Sequence, residues 1–330
     1  MNVAIYSAHK FEKEYLEKAN KGQYNFKYLT SALSSETAYL AEGCEAVSIF
    51  VSDDASAPVL QLLNKAGVKF LVLRSAGYNH VDIAEAQKLK IKVARVAEYS
   101  PYAVAEHSIA LMLALNRKLI RAHNRVQEQN FSLDGLVGFD MNGKTVGIIG
   151  TGKIGSVAAK ILHGFGCKIL TYDQIENEEL KQKYDVTYTD YETLLKQSDI
   201  ITLQIPLTEK TKYIINKNSI EMMKTGVMLI NTSRGMLVNT KDVIDALKSG
   251  HIGSLGMDVY EEEEGLFFED HSEDILQDDT IARLLSFRNV LITSHQAFLT
   301  DTALKNIAET TVDNLVCFGK SGHNKNEVKI

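Results

Sequence analysis

The chain has 330 residues, 45% of them hydrophobic and 24% charged, a composition typical of a soluble globular protein and a length that calls for two domains. With 36 basic against 42 acidic side chains the net charge is -6, which argues against a nucleic-acid-binding surface. No apolar run reaches membrane-spanning length, and "MNVAIYSAHK" lacks the charged segment and long apolar stretch of a secretion signal, so no membrane partner and a cytoplasmic location are expected. The cysteines, Cys44, Cys167 and Cys317, form no C-x-x-C pair, and the histidines show no H-E-x-x-H spacing, so neither a disulfide framework nor a metal is expected.

In chain order, short apolar runs alternate with helical patterns. Val3–Tyr6, Ala46–Val51, Val68–Arg74 and Ile91–Val96 read as strands, with helical spacing over Pro58–Ala66 and Val81–Leu89. The strands are apolar continuously rather than alternately, the signature of a parallel sheet covered on both faces. After Pro101 a single helix of about 25 residues is predicted, its proline at the tolerated first position. A second alternation follows, with strands predicted at "TVGIIG", "CKILTYD", "DVTYTD", "DIITLQ", "GVMLIN", "SLGMDVY" and "NVLITS". A last helix spans roughly Thr302 to Phe318.

The most informative stretch is "KTVGIIGTGKIGSVAAKILHGFGCKILTYD". Gly150, Gly152 and Gly155 form a G-x-G-x-x-G after an apolar strand and at the start of a helix. The first glycine permits a tight turn, the second a close approach of backbone to a pyrophosphate, and the third close packing of helix on strand; the helix N-terminus adds unpaired N–H groups. Asp173 ends the next strand, 18 residues beyond Gly155, where a carboxylate accepts bonds from ribose hydroxyls and repels a 2′-phosphate. The cofactor predicted is therefore NAD rather than NADP.

Three downstream motifs each place a reactive side chain after a strand: Arg234 in "NTSRGMLVNT", Asp258 and the run Glu261–Glu264 in "GSLGMDVYEEEEG", and His295 in "NVLITSHQAFL". Strand carboxyl ends face the ligand crevice of such a sheet. Taken singly, His295 would pass for a structural histidine, and the glutamate run for a solvated surface.

Together with "RSAGYNHVD", "YSPYAVAEHS", "LFFED" and "SHQAFLT", these motifs resemble the D-isomer-specific 2-hydroxyacid dehydrogenase family over essentially the whole chain, most closely its fermentative NAD-dependent D-lactate dehydrogenases. The resemblance implies an α/β fold of two parallel-sheet domains, Rossmann-like and flavodoxin-like, with an active-site cleft between them. The substrate domain would be residues 1–100 with 299–330, and the NAD domain residues 101–298. It implies Arg234 as the substrate-holding arginine, His295 as acid–base, and Glu263, five residues after Asp258, as the histidine's partner; Glu261, Glu262 and Glu264 would be a solvated face. Cofactor contacts would fall on Lys153, Ile154, Asp173, Ile205, Pro206, Thr232, Ser233, Arg234 and Asp258, besides the glycines. Backbone N–H groups at Ala76 and Gly77 would bind the substrate carboxylate, and Phe50, Tyr99 and Phe298 would line the pocket. His107 receives no role. Gln204 departs from the histidine many relatives carry there. The implied reaction is reversible reduction of pyruvate to D-lactate by a homodimer or homotetramer, with an apolar face of the helix after Pro101 as the interface. Larger 2-oxo acids such as 2-oxoisocaproate or phenylpyruvate are the alternative substrates. An NAD-sensing binding protein is the rival class, and it would have no need of a proton donor.

Overall fold

The computed structural model describes residues 1–320 and 324–329. The chain divides into two compact units, Met1–Ser100 with Leu299–Ile330, and Pro101–Phe298.

The first unit carries β1 (Asn2–Ile5), α1 (Lys10–Asn20), β2 (Asn25–Tyr28), β3 (Ala46–Ile49), α2 (Ala57–Lys65), β4 (Phe70–Leu73), α3 (Ile83–Lys88) and β5 (Lys92–Ala94). Its sheet is parallel throughout, in the order β2-β1-β3-β4-β5. The continuous apolar strands are buried on both sides: Val3 and Ile5 join one core and Ala4 and Tyr6 the other, as the two-residue strand period demands. The strand β2 is missing from the sequence reading. Its pattern is half exposed at the sheet edge, so "NFKY" has no continuous apolar run to betray it.

The second unit runs α4 (Pro101–Asn116), α5 (Leu119–Gln127), β6 (Thr145–Ile149), α6 (Lys153–Gly164), β7 (Lys168–Tyr172), α7 (Glu178–Tyr184), β8 (Val186–Tyr188), α8 (Tyr191–Gln197), β9 (Ile200–Leu203), α9 (Lys217–Met222), β10 (Val227–Asn231), α10 (Thr240–Ser249), β11 (Ile252–Met257), α11 (Asp279–Leu285) and β12 (Val290–Ile292). The last helix, α12 (Asp301–Lys320), returns to the first unit, where Phe318 stacks on Phe70 with ring centroids 5.1 Å apart. The second sheet is also all parallel, ordered β12-β11-β10-β9-β6-β7-β8. The order reverses between β9 and β6, so the carboxyl ends of those two strands open the crevice where such sheets bind ligands.

The helix after Pro101 differs from the expectation of one long rod. Lys118 adopts a left-handed conformation (φ 50°), which interrupts the helical backbone between α4 and α5. The apolar residues of α4 also have another use than a partner surface. Ile109, Leu111 and Met112 are buried in the core beneath β6, β7 and β10. Exposed apolar side chains lie instead on α5 and the following loop, among them Ile120, Val126, Phe131, Leu133 and Val137.

Candidate active site

The glycine loop follows directly from its sequence. Gly150 sits at φ 96°, and a Cβ there would meet the Gln204 carbonyl oxygen at 2.5 Å, so the turn out of β6 excludes every other residue. A Cβ on Gly155 would meet the Gly150 carbonyl at 2.0 Å; the first turn of α6 is pressed against the strand end. A Cβ on Gly152, by contrast, would meet nothing within 4 Å beyond its own helix and chain neighbours, and as N-cap of α6 it offers no side-chain hydrogen bond to the helix start. An uncapped helix N-terminus under open space fits a pyrophosphate. Lys153 and Ile154 occupy its first two positions.

Asp173, just past β7, accepts hydrogen bonds from the Thr151 N–H (2.6 Å) and hydroxyl (3.0 Å) through one oxygen, and from the Gln174 and Ile175 N–H groups through the other. Burial pushes its carboxyl up, but these four donors outweigh that and hold it below the usual carboxylate range. The carboxylate is therefore ionised and fixed beside the glycine loop, as a ribose-binding acid requires. At the end of β9, Ile205 packs against Gly150, and the Pro206 carbonyl accepts from the Thr211 hydroxyl. At the end of β10, the Ser233 hydroxyl donates to the Leu203 carbonyl, and the Thr232 hydroxyl hydrogen-bonds the Ser108 hydroxyl at 2.7 Å. Gln204, the departure noted above, donates to the hydroxyls of Ser108 and Thr202 at 3.0 Å.

Arg234 begins the next turn, its side chain donating to the Ser233 carbonyl at 2.6 Å. The following Gly235 is obligatory: a Cβ there would strike the Tyr260 carbonyl carbon and oxygen at 2.1 Å. That close approach sets the Arg234 turn against the start of the glutamate run.

Within the run the four glutamates have different fates. Glu263 Oε1 lies 2.8 Å from His295 Nδ1, and its Oε2 accepts from the Tyr260 N–H at 3.1 Å. Glu262 and Glu264 are exposed. Glu261 is not solvated as expected. It accepts from the Tyr213 hydroxyl (2.9 Å) and the Thr240 N–H (2.6 Å), so it ties the entry of α10 to the segment before α9.

His295 itself stands in a left-handed conformation (φ 47°), costly for a residue with a β-carbon and sustained by its surroundings. The sustaining residue is Asp258, wholly buried at 0% exposure. Its carbonyl accepts the His295 N–H (2.7 Å), and its carboxylate accepts from the Thr293 hydroxyl and from the Gln296 and Ala297 N–H groups at 2.5 to 2.9 Å. The loop is wound around one carboxylate. With Nδ1 on Glu263, His295 Nε2 has no hydrogen-bond partner among the described residues, and the ring lies 5.8 Å from Phe268.

His107, given no role from the sequence, belongs to this network. Its Nε2 lies 3.0 Å from the Thr293 hydroxyl and 3.4 Å from Asp258. The available signal was a histidine within the short polar run Glu106–Ser108 of a largely apolar helix, inside the quoted "YAVAEHS".

In the first unit, Ala76 and Gly77 follow β4. Phe50, just past β3, is only 3% exposed, its ring 5.6 Å from the Arg74 guanidinium and edge-on to His9. The Tyr99 carbonyl accepts from Asn306 at 2.6 Å. Phe298 closes the second unit and is 9% exposed. Beneath Phe50 lies an ion pair the sequence did not announce: buried Arg74 meets Glu12 at 2.8 and 3.0 Å and also donates to the Tyr6 and Ser7 carbonyls. Among the described residues no helix is long and apolar enough to cross a membrane, and no three His, Cys, Asp or Glu side chains group as metal ligands.

The chain is similar in sequence and fold to known proteins. The family model described as D-isomer specific 2-hydroxyacid dehydrogenase, NAD binding domain, matches residues 109–297. The chain is 49% identical over 316 residues to the D-lactate dehydrogenase of Escherichia coli K12, covering 96% of each. Among solved structures it is similar to the apo-structure of D-lactate dehydrogenase from Escherichia coli, with TM-score 0.91 and 45% identity over 99% of this chain and 100% of that one. It is similar also to the pyruvate reductase of Chlamydomonas reinhardtii, with TM-score 0.92 and 44% identity over 96% of each.

Proposed function

The chain belongs to the D-isomer-specific 2-hydroxyacid dehydrogenase family, and from that premise we propose that it is a D-lactate dehydrogenase reducing pyruvate to D-lactate. Its cofactor is NAD, the ligand of the domain matched over residues 109–297. The observation that carries the reading is the His295–Glu263 pair at 2.8 Å, set at the carboxyl edge of the sheet that holds the glycine loop.

NADH, when bound, supplies the hydride to the substrate's carbonyl carbon. Gly150, Gly152, Lys153, Ile154 and Gly155 would seat its pyrophosphate, Asp173 its ribose, and Ile205, Pro206, Thr232, Ser233, Arg234 and Asp258 the remainder. Arg234 would hold the 2-oxo acid by its carboxylate and carbonyl oxygen, a task for a planar fork of donors. The N–H groups of Ala76 and Gly77 would bind the carboxylate as well, with Phe50, Tyr99 and Phe298 shaping the space for the methyl group. Protonated His295 gives its Nε2 proton to the carbonyl oxygen and is left neutral, a transfer worth about 10²- to 10⁴-fold in rate. Glu263 holds Nδ1–H, fixes the tautomer and stabilises the imidazolium before transfer. The same geometry run backwards has neutral His295 accept the hydroxyl proton of D-lactate at Nε2.

The exposed apolar side chains of α5 and residues 131–137 support a homo-oligomer, a homodimer or homotetramer; the acidic net charge speaks against a nucleic-acid partner, and three cysteines without C-x-x-C spacing fit a reducing cytoplasm. The activity is tested by NADH oxidation with pyruvate, 2-oxoisocaproate and phenylpyruvate, followed by chiral analysis. Pyruvate as the best substrate and D-lactate as product are expected; L-lactate, or preference for a larger acid, would refute the assignment.

A further inference from the structure

The loop Ser75–Tyr78 has a one-sided hydrogen-bonding pattern. The Ser75 carbonyl accepts from the Val96 N–H (3.1 Å), the Gly77 carbonyl from the Ser75 hydroxyl (2.8 Å), and the Tyr78 carbonyl from the Val81 N–H (3.1 Å). The Ala76 carbonyl has the one charged donor, the Arg95 guanidinium, at 2.7 Å. Every carbonyl of the loop is thus tied into its own unit. Among the described residues, neither the Ala76 nor the Gly77 N–H donates to any backbone or side-chain acceptor. A trans peptide holds its N–H opposite its C=O in one plane, so anchoring the carbonyls turns the N–H groups the other way.

Arg95 is built to hold its end still. It follows β5, the neighbour of β4, so its side chain starts one strand away from the loop. Its N–H donates to the Asn326 carbonyl (3.1 Å) and its carbonyl accepts from Asn314 on α12 (3.1 Å). The guanidinium carbon lies 5.0 Å from the centre of the Tyr78 ring, within cation–π range. A mobile surface arginine would have none of these restraints.

We propose that Arg95 is a positioning residue for substrate binding: by bonding the Ala76 carbonyl it orients and polarises the Ala76–Gly77 peptide, so that the Gly77 N–H binds the carboxylate of the 2-oxo acid. The carbonyl of Ala76 and the N–H of Gly77 belong to one peptide group. A cation on the oxygen draws electron density from the nitrogen and makes the N–H a stronger donor. The positive charge also reaches the bound carboxylate through the peptide without touching it. Arg95 therefore acts on affinity for the anion and leaves proton and hydride transfer to other groups. The inference rests on the 2-oxo acid reductase reading above.

The test is Arg95→Met, with pyruvate kinetics, inhibition by the unreactive pyruvate mimic oxamate, and NADH binding followed by fluorescence. The KM for pyruvate and the Ki for oxamate should each rise about tenfold, the scale of losing a charge-assisted contact. The kcat should stay within about threefold and NADH affinity should be unchanged. Arg95→Lys, which keeps the charge but not the fork, should recover part of both losses. Unchanged KM and Ki in Arg95→Met would overturn the proposal, as would a fall in kcat as large as the rise in KM. Should Arg95→Met fail to fold, Tyr78→Leu removes the ring beneath the guanidinium at a position that is 37% exposed. A two- to threefold rise in the same KM and Ki is then expected, on the scale of an exposed cation–π contact, and no rise refutes the proposal. A wild-type protein that reduces no 2-oxo acid would overturn the activity and the role of Arg95 together; an active wild type beside an indifferent Arg95→Met would overturn the role alone.

Discussion

Four consecutive glutamates of one chemical type take three different positions, and only one of them touches the proposed acid–base. Glu263 meets His295 through one oxygen and the Tyr260 N–H through the other, so Gln at 263 keeps the shape and loses the charge that stabilises the imidazolium. Glu263→Gln is expected to lower kcat about 10²-fold with stability little changed. Stability holds because the His295 ring can change tautomer and accept from the new amide at Nδ1, an adjustment that the Tyr213 hydroxyl and Thr240 N–H around Glu261 cannot both make. Glu261→Gln should do the reverse: kcat within twofold, but a melting temperature lower by about 2–4 °C, because one of its two hydrogen bonds, to Tyr213 or Thr240, is lost. Glu264→Gln, at an exposed position, should change neither. Steady-state kinetics and thermal melts on the three variants decide the matter, and equal behaviour would refute the assignment of Glu263. The family resemblance, which places the histidine's partner five residues after Asp258, singled out Glu263, but nothing distinguished Glu261 from its neighbours. Its partners lie 48 and 21 positions away, and no local pattern records them.

The glycine loop shows how an element separates folding from binding. Gly150 and Gly155 meet backbone at 2.5 and 2.0 Å where a methyl group would sit, whereas Gly152 meets nothing. Gly155→Ala must push α6 off the strand end and should lower both the melting temperature and NADH affinity. Gly152→Ala has an extended backbone (φ -62°, ψ -164°) that alanine tolerates, so the fold should keep its melting temperature. A methyl group on the open side of the helix start should nevertheless weaken NADH binding tenfold or more by displacing the pyrophosphate. Fluorescence titration beside a melt reads this directly; undiminished NADH binding in Gly152→Ala would place the pyrophosphate elsewhere. The loop after β12 is the complementary case, a strained histidine kept in place by one buried carboxylate, with Thr293 and His107 behind it.

For the whole molecule, both sheets are parallel and apolar on both faces, so their interiors account for the long apolar strands and for α4. They do not account for the side chains left outside. Phe131 at 71% and Val137 at 84% exposure, with Ile120 and Val126 on α5, are large apolar side chains that a lone chain gains nothing by presenting. Light scattering at micromolar concentration should therefore give at least twice the mass of one chain, and Val137→Glu should shift it toward the monomer. A monomeric wild type would remove those side chains from the oligomer proposal.

Patterns that repeat locally were legible from the sequence alone: the buried parallel strands, and the glycine loop followed by Asp173. Each depends on residues a few positions apart, where steric and periodic rules act within one element. Tertiary structure alone decided the edge strand β2, the left-handed turn at Lys118, the task of Glu261, the entry of His107 beside Asp258, and Arg95 behind the Ala76 carbonyl. In those cases a polar group finds its partner, or a backbone its strained shape, only after distant elements have packed. The hydrogen bonds that settle them join residues with no relation in sequence.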